Sequence, residues 1–533
     1  MPTAPKVRWL AGLGALAMLT ASCGTTLKTT AGRSNGSSNR LSMPSQGGDN
    51  GTGVTGAGAG ATPVGASGGS VGGLPGVSGG SGSYVGATGG GTSGGSVATG
   101  GGNSGGGGGT GGGGVSSGGG SNGSTSGLVP ASAPGVTNQN VYIGIAYSSQ
   151  SAAGDKAIGA AGAAPTYDER NVANAVINYA NSHGGFAGRK LVPLYYDINL
   201  TTDTNTQEQS ACAYWTQDNK ILFMGGGDDI LDACGQKAGA IVLGSGSATG
   251  ATFQKYSHLV DPIGISLDRL GQVTTSGLNK AGYFAGKLGL VTWDDPNYRA
   301  TITNGYLPAL SAIHVTPAQI AYISVPQQIG ALGDMSAAVS SAVTKFKSLG
   351  IDHVIIQDGP AGVWSGAGLT FEWMNQAKSQ GYYPRYGQNA ANAPGWSVMP
   401  SDEMNKALAI DDSDYDPKYD QGWRPNSSRN LCFQIEANAG YPVNPSNQND
   451  EGIAAGLCDY VFFVQKVING LSKITADGFV QQAQTLGTGF SSASVYGTKL
   501  ISGRRDGGDM FRTEEYLSSC SCLQYQGQPY YPD

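Results

Sequence analysis

A glycine-rich tract that carries almost no charge divides the chain into two parts of different character. Residues 47–127 hold 39 glycines, and the only charged residue among them is Asp49. Such a segment lacks the apolar side chains needed to bury a core, so we expect residues 23–137 to form a disordered tether rich in glycine and serine. The chain after the tether, about 396 residues, has ordinary apolar content and is long enough for two or three domains.

The start of the chain has the pattern of an export signal. Lys6 and Arg8 precede an apolar stretch over residues 9–19, and small residues then lead to Cys23. This pattern predicts a signal peptide over residues 1–22. Its end resembles a bacterial lipoprotein box, which implies an exported protein held at the outer face of the cell membrane by a lipid on Cys23. A threonine stands where that box usually has leucine, so cleavage without lipid stays open.

Six cysteines remain, which is an even number. In the oxidising compartment that an export signal implies, such cysteines are expected to form disulfides. Six cysteines permit 15 pairings. Nearness in sequence favours Cys212 with Cys234 and Cys432 with Cys458. Each of these bonds would close a loop of about 25 residues and contribute about 3 kcal/mol.

The last two cysteines, Cys520 and Cys522, are harder to pair. Residues i and i+2 of a strand lie about 6.6 Å apart at Cα, near the upper limit for a disulfide, so this bond would need a bent backbone. A metal site is the alternative, but no Cys or His follows at ligand spacing. We therefore predict disulfides and no metal.

The part of the chain after the tether is acidic. From residue 41 onward, leaving out Asp49, it has 25 basic and 35 acidic residues. Binding a phosphate backbone requires clustered Lys and Arg, and the densest basic group is the pair Arg504 and Arg505. We expect no nucleic-acid partner and interpret the acidity as a solvated surface. No apolar run in this part is long enough to predict a membrane-spanning helix.

Strands and helices alternate along this part of the chain. The run 141–147 predicts a strand, residues 172–180 show helical spacing of apolar side chains, and residues 190–197 predict the next strand. Strands separated by helices in this way form βαβ units and a parallel sheet. The alternation breaks near Pro262 and resumes over residues 267–357, which predicts a second α/β unit.

These two units predict an α/β fold of two lobes. We assign residues 138–265 to lobe 1 and residues 266–395 to lobe 2, each completed by return segments. Residues 396–533 are expected to supply long loops, crossover helices and C-terminal strands to both lobes. Within them we predict one buried strand over residues 432–435 and β structure over residues 516–525.

Two segments resemble a known family. Residues 181–197, NSHGGFAGRKLVPLYYD, closely resemble the helix end, glycine turn and second strand of the type I periplasmic solute-binding proteins, the branched-chain amino acid binding family. Residues 334–358 resemble the second-lobe unit of that family, and the similarity covers roughly residues 140–390. The resemblance implies two doubly wound parallel-sheet lobes joined by a hinge. It also implies that the chain crosses three times between them and that a ligand lies at the carboxyl ends of the strands.

Loops that follow the predicted strands supply the candidate ligand contacts, because main-chain N–H groups and helix N-termini face outward at those ends. The candidates are Tyr147, Ser148, Ser149, Asp228, Ser245, Ser247, Thr249, Tyr298, Asp358, Gln388 and Asn389. Ser245, Ser247 and Thr249 stand where the family holds a ligand carboxylate.

The same candidates have structural alternatives. The two serines after residue 147 could simply end a strand, Asp228 is well placed to cap a helix, and the ring of Tyr298 could pack in the core. Asp358 is the candidate partner for a ligand ammonium. The family's own acidic ammonium ligand is replaced by Gln388 and Asn389, which places amino acid specificity in doubt.

The sequence gives little support for catalysis. Its four histidines, His183, His258, His314 and His353, fit no zinc-protease pattern. No Walker loop follows a strand, and the first βα turn lacks the dinucleotide glycine pattern. We therefore predict that the chain is not an enzyme and has no cofactor.

Together these features predict an extracytoplasmic lipoprotein that captures a small polar solute, similar to an amino acid, an amide or a peptide. It would act as a monomer and deliver the solute to the membrane permease of an ABC-type transporter. A ligand sensor or cell-envelope interaction protein with the same fold is the alternative. An exported hydrolase is a third hypothesis, motivated only by scattered Asp and Ser in the strand-end loops.

Overall fold

The computed structural model describes residues 128–150, 168–226, 229–244, 246–363, 367–389, 399–413, 426–444, 448–519 and 522–532. The expected signal peptide, Cys23 and nearly all of the expected tether lie outside these ranges. Within them, no helix combines the length and the apolar character needed to cross a membrane.

Sheet 1 has five parallel strands in the order β2-β1-β3-β4-β5. They are β1 Asn140–Tyr147, β2 Lys190–Asp197, β3 Phe223–Gly225, β4 Ile241–Leu243 and β5 Leu259–Val260. The helices between them are α1 Glu169–Ser182, α2 Thr204–Ala213, α3 Asp229–Ala238 and α4 Gly250–Lys255. The helical spacing predicted for residues 172–180 places Val172, Val176 and Ala180 on the buried face of α1.

Sheet 2 has seven strands in the order β12-β11-β10-β9-β8-β6-β7. They are β6 Leu288–Trp293, β7 Gln319–Ile323, β8 His353–Gln357, β9 Arg385–Asn389, β10 Leu408–Asp411, β11 Phe511–Leu517 and β12 Cys522–Tyr530. Strands β6 to β10 are parallel, whereas β11 and β12 add an antiparallel hairpin at one edge. This hairpin confirms the β structure predicted over residues 516–525.

Five helices pack against the parallel part of sheet 2. Strand β6 is buried along its whole length, as expected for a central parallel strand with helices on both faces of the sheet. These helices are α5 Leu267–Lys280, α6 Pro296–Thr301, α7 Leu307–Ala312, α8 Leu332–Ser348 and α9 Gly368–Ser379. The apolar core that they form with sheet 2 is separate from the core around sheet 1.

The prediction of a buried strand over residues 432–435 is wrong. These residues lie in a helix, α10 Ser427–Asn438, which begins after Asn426, whose side chain accepts a hydrogen bond from the Arg429 backbone N–H. Short apolar runs fit either periodicity, and here Cys432 and Ile435 are three residues apart on one buried face of the helix. Two more helices follow, α11 Gln448–Asn469 and α12 Ala476–Ala483, and all three pack on sheet 1.

Both disulfides favoured by nearness in sequence are present. Cys212–Cys234 joins α2 to α3, and Cys432–Cys458 joins α10 to α11, each with a Cα–Cα distance of 6.0 Å. The predicted fate of Cys520 and Cys522 lies outside the described residues, because only the backbone of Cys522 is described.

The chain passes between the two sheets three times: after β5, after β10, and before β11. These passages lie side by side, since Asp261 forms a β-bridge with Asp506 and Ser413 forms one with Val495. We call sheet 1 with α1–α4 and α10–α12 lobe 1, sheet 2 with α5–α9 lobe 2, and the three passages the hinge.

Candidate functional site

Loops at the carboxyl ends of the two sheets contact each other. Thr204, which follows β2 in lobe 1, donates its hydroxyl to Gln327 Oε1 at 2.8 Å, and Gln327 follows β7 in lobe 2. Thr252 of α4 donates to Asn297 Oδ1 at 3.2 Å at the start of α6. The strand-end loops of both lobes therefore line one cleft, which is where ligands bind in open α/β sheets.

The lobe 1 wall of this cleft is built around Arg170, in the first turn of α1. Its guanidinium carbon lies 4.5 Å from the centre of the Tyr147 ring, and its Nη1 donates to the Tyr147 hydroxyl at 3.1 Å. Nε and Nη2 donate to Asp168, the residue that caps α1, with the Nη2–Oδ2 distance at 2.5 Å. This ion pair lowers the pKa of Asp168 and fixes Tyr147 at the end of β1.

The two serines after Tyr147 have different surroundings. Ser149 is exposed and donates both its backbone N–H and its hydroxyl to Asp197, at 2.9 and 2.7 Å, which ties the ends of β1 and β2 together. Ser148 is buried and accepts a hydrogen bond from the Gln150 backbone at 3.2 Å. Ser149 therefore stabilises the strand ends, and Ser148 forms part of the turn.

The loop after β4 was the expected carboxylate site. Thr249 caps α4, and its hydroxyl accepts from the Thr252 backbone at 3.2 Å, so the loop is ordered by a reciprocal capping box. Ser247 is fully buried. Two other candidates of lobe 1, Asp228 and Ser245, lie outside the described residues.

Tyr298 of lobe 2 lies in the core. Its side chain has no exposed surface, and its hydroxyl donates to the Pro360 carbonyl at 3.0 Å. Asp295, which caps α6, holds the backbone N–H groups of Asn297 and Tyr298, and burial raises the pKa of Asp295 to about 6. The packing alternative therefore describes Tyr298 in this arrangement of the lobes.

Asp358, at the end of β8, is surrounded by donors from the protein itself. Its carboxylate accepts from Trp293 Nε1 at 3.0 Å, from the Gly359 backbone at 2.8 Å, and from the Thr370 backbone and hydroxyl at 2.7 and 2.9 Å. A carboxylate has about four acceptor sites, so these donors use its capacity and leave none for a ligand ammonium. Burial outweighs the donors and raises the pKa of Asp358 to about 7.

Gln388 and Asn389 end strand β9, and both side chains are fully buried. Asn389 Nδ2 donates to the Asp358 carbonyl at 3.1 Å. The Asn389 Oδ1 atom and both polar atoms of Gln388 form no hydrogen bond. Lobe 2 thus has amide side chains at the position where the family that the chain resembles has an acid.

Arg170, Asp168 and Asp197 were not among the sequence candidates. Asp168 directly precedes a helical pattern, so its sequence position signals a helix cap and nothing more. The pairing of β1 with β2 places Asp197 opposite Tyr147, and Arg170 reaches the same strand ends from α1 through its contact with Tyr147.

In the described residues, one group of side chains has metal-ligand spacing: Cys432, Glu436 and Cys458. The two sulfur atoms are joined in a disulfide, so they are not available as thiolate ligands. This group gives no support to a metal centre.

Comparisons with known proteins identify the fold. No protein-family model and no curated protein sequence matches the chain. A branched-chain amino acid ABC transporter protein from Thermus thermophilus with bound valine is 13% identical, with a TM-score of 0.54, covering 74% of this chain and 97% of that one. A solute-binding protein from Rhodopseudomonas palustris with p-hydroxybenzoic acid is 11% identical, with a TM-score of 0.53 and coverages of 74% and 97%.

A third similar structure, a fatty acid ABC transporter substrate-binding protein from Thermomonospora curvata, is 13% identical, with a TM-score of 0.51 and coverages of 75% and 95%. The chain therefore has the type I periplasmic binding protein fold, as the sequence predicted. Two of these structures hold valine and p-hydroxybenzoic acid, and the third belongs to a fatty acid transporter, so the fold alone does not select a ligand.

Proposed function

We propose that this chain is an extracytoplasmic solute-binding protein that captures a small polar ligand in the cleft and delivers it to the permease of an ABC-type transporter. The observation that carries this proposal is the meeting of the strand-end loops of both lobes at Thr204–Gln327 and Thr252–Asn297. A cleft closed by contacts from both sides can enclose a ligand of either polar or mixed character.

Closure of the lobes supplies the mechanism. The lobes share three neighbouring passages, so a rotation about the hinge opens the cleft while each core stays intact. A ligand that contacts both lobes favours the closed state by its differential affinity for that state. The permease then recognises the closed form, and a lipid on Cys23 keeps the protein at the membrane.

A solute screen tests this proposal. Thermal unfolding is followed with amino acids, amides, short peptides and sugars. A true ligand raises the free energy of unfolding by RT ln(1 + [L]/Kd), and the melting temperature rises with it. The hit is then titrated into Tyr147→Ala and into Tyr383→Ala. Tyr383 is an exposed tyrosine just before β9, at the opposite end of that strand from the cleft.

We expect the Tyr147 variant to lose affinity by roughly tenfold, about 1.4 kcal/mol, and the Tyr383 variant to bind normally. Equal losses in both variants would place the ligand outside the cleft. A screen in which no solute of any class stabilises the protein would overturn the proposal.

Membrane anchoring is a separate part of the proposal. Cells that express the chain or Cys23→Ala are fractionated after labelling with a radioactive fatty acid. We expect the unchanged protein to carry the label and sediment with membranes, and the variant to do neither. A variant that still carries the label would refute lipidation at this cysteine.

A ligand sensor or envelope interaction protein is the second candidate. The engagement of Asp358 and Tyr298 with their own protein neighbours favours it, because these groups are then unavailable to a transported amino acid. Cross-linking in intact cells separates the two roles. Recovery of a permease supports transport, and recovery of a signalling or wall protein without a permease supports the second candidate.

A further inference from the structure

The unpartnered amides at the end of β9 carry information about the ligand. Gln388 Oε1, Gln388 Nε2 and Asn389 Oδ1 are buried and form no hydrogen bond. Burying such atoms without a partner costs their full desolvation free energy, which is why nearly all buried polar groups in proteins are paired. Three such atoms on adjacent residues at the cleft end of a strand require an explanation.

The neighbouring strands do not satisfy Gln388. Its partners in register are Ile356 on β8 and Ala409 on β10, neither of which has a polar side chain. The adjacent strand β8 ends in a glutamine whose two polar side-chain atoms each have a partner. Gln357 Oε1 accepts from the Tyr306 hydroxyl at 2.8 Å, and its Nε2 donates to the Asp358 carbonyl at 3.2 Å. The amide of Gln357 is therefore satisfied by the protein, whereas the amide of Gln388 on the adjacent strand has no protein partner and can bind a ligand.

Among the described residues, the acids that end the strands on either side of β9 already have donors from the protein. Asp358 accepts four hydrogen bonds, and Asp411, which follows the register partner of Asn389 on β10, accepts from the Ser413 backbone N–H and hydroxyl. A ligand ammonium at the end of β9 would have to displace these donors, and a ligand carboxylate would lie beside two acids. Burying either charge without a partner is far more costly than burying an uncharged polar group.

We propose that Gln388 and Asn389 bind uncharged groups of the ligand that both donate and accept hydrogen bonds, namely carboxamides or hydroxyls. This inference rests on the proposed function and specifies its ligand class. Successive residues of a strand face opposite sides of the sheet, so the two amides contact different ligand groups. Gln388 can donate and accept at once, whereas Asn389 offers chiefly its acceptor Oδ1, because its Nδ2 already donates to the Asp358 carbonyl.

Binding at these amides is linked to movement of the lobes. The free atoms have no solvent-exposed surface in the present arrangement, in which hydrogen bonds join the lobes. A ligand reaches them only when the segments around the end of β9 move apart, as an opening rotation about the hinge allows. The unpartnered amides destabilise the closed state without ligand and stabilise it with ligand.

Isothermal titration with four probes tests the ligand class: hexanamide, hexanoate, hexylamine and glucose. The first three share one alkyl chain and differ only in the polar group, and glucose represents hydroxyls. We expect hexanamide or glucose to bind at least tenfold more tightly than both charged probes. The choice between hexanamide and glucose decides whether amides or hydroxyls are the natural groups.

Two glutamine variants provide the matched comparison. Gln388→Met is expected to weaken the preferred probe by roughly 10- to 100-fold and to leave the unfolding midpoint unchanged or higher. Gln357→Met is expected to lower that midpoint and to change the dissociation constant by less than about twofold. Gln388→Glu, which keeps the size and loses the donor, should shift preference toward hexylamine.

The outcomes separate this inference from the proposed function. Tightest binding of a charged probe, or unchanged affinity in Gln388→Met, overturns the inference and leaves solute binding in place. Failure of all four probes, together with a charged ligand from the wider solute screen, also overturns the inference and leaves solute binding in place. Failure of every solute in both experiments overturns the inference and the proposed function together.

Discussion

The two lobes contribute walls of different character to one cleft. The lobe 1 wall is charged and partly exposed: the side chains of Arg170 and Asp168 are 38% and 22% exposed. The part of the lobe 2 wall at the ends of β8 and β9 is fully buried, with Asp358, Gln388 and Asn389 at 0% exposure, although the ion pair of Arg299 with Asp294 at the start of α6 is exposed. The lobes also differ in their covalent structure, because both described disulfides join helices that pack on sheet 1.

This difference indicates a division of labour. Ion pairs that remain in contact with water cost little to form and contribute little to stability, so the lobe 1 wall can exchange partners readily. Buried hydrogen-bonded groups are costly to disturb, so the lobe 2 wall fixes geometry. We infer that lobe 1 supplies an adaptable first contact and lobe 2 supplies the selective one.

The largest expected effect is on stability in lobe 2. Asp358→Ala leaves the Trp293 indole N–H, two backbone N–H groups and the Thr370 hydroxyl without their acceptor. Each orphaned buried donor costs about 1–3 kcal/mol, partly relieved by rearrangement, so we expect a loss of about 4 kcal/mol in the free energy of unfolding. Urea denaturation measures it.

The matched variant in lobe 1 is Asp168→Ala, which removes a partly exposed ion pair and a helix cap. We expect a loss of about 1 kcal/mol from this variant. Equal losses from the two substitutions would remove the contrast between the walls on which the division of labour depends.

The second effect concerns the disulfide of lobe 1 that joins α10 to α11. Replacing Cys432 and Cys458 by alanine opens a loop with a sequence separation of 26 residues, and we expect a loss of about 3 kcal/mol. Hydrogen exchange is the informative measurement. Protection should fall in α10 and α11 and persist in β8 and β9, since the two lobes have separate cores. A uniform fall in both lobes would show that they unfold as one unit.

Much of the architecture was predictable because hydrophobic periodicity is a local property. The spacing over residues 172–180 was enough to place Val176 on a buried helix face. The strand predicted over residues 432–435 failed because four residues, three of them apolar, are too few to separate a period of 2 from a period of 3.6.

The site was harder to predict because its chemistry depends on distant partners. Asp358 has the sequence context of a ligand contact, yet its donors include Trp293, 65 residues earlier, and Thr370, 12 residues later. Which donors reach a carboxylate is set by tertiary packing, and no local pattern encodes it. The same holds for Arg170, whose contact with Tyr147 spans 23 residues.

A third prediction uses pH to test the burial of Asp358. Burial raises its pKa from 3.8 to about 7. Between these values the native state keeps the proton and the unfolded state loses it, so the contribution of Asp358 to stability falls as pH rises. The expected slope is at most about 1.4 kcal/mol per pH unit between about pH 5 and pH 6.

Urea denaturation of the unchanged protein and of Asp358→Asn across this range isolates the slope, because asparagine does not titrate and its other costs do not vary with pH. The difference between the two curves should decline with rising pH. Parallel curves would mean that Asp358 is already ionised in the native state at pH 5, held so by its four donors.

The smallest expected effect concerns the contact between the walls. Thr204→Val keeps the shape of the side chain and removes the hydroxyl that donates to Gln327 of lobe 2. One such hydrogen bond contributes about 1 kcal/mol, so the closed state should lose about that much relative to the open state.

Thr206→Val is the control, because the Thr206 hydroxyl donates to Asp203 within lobe 1. Small-angle scattering without ligand should show a larger radius of gyration for Thr204→Val alone, with affinity for the solute reduced about fivefold. If both variants scatter alike, the Thr204 contact does not hold the lobes together, and closure must depend on the ligand and on the hinge.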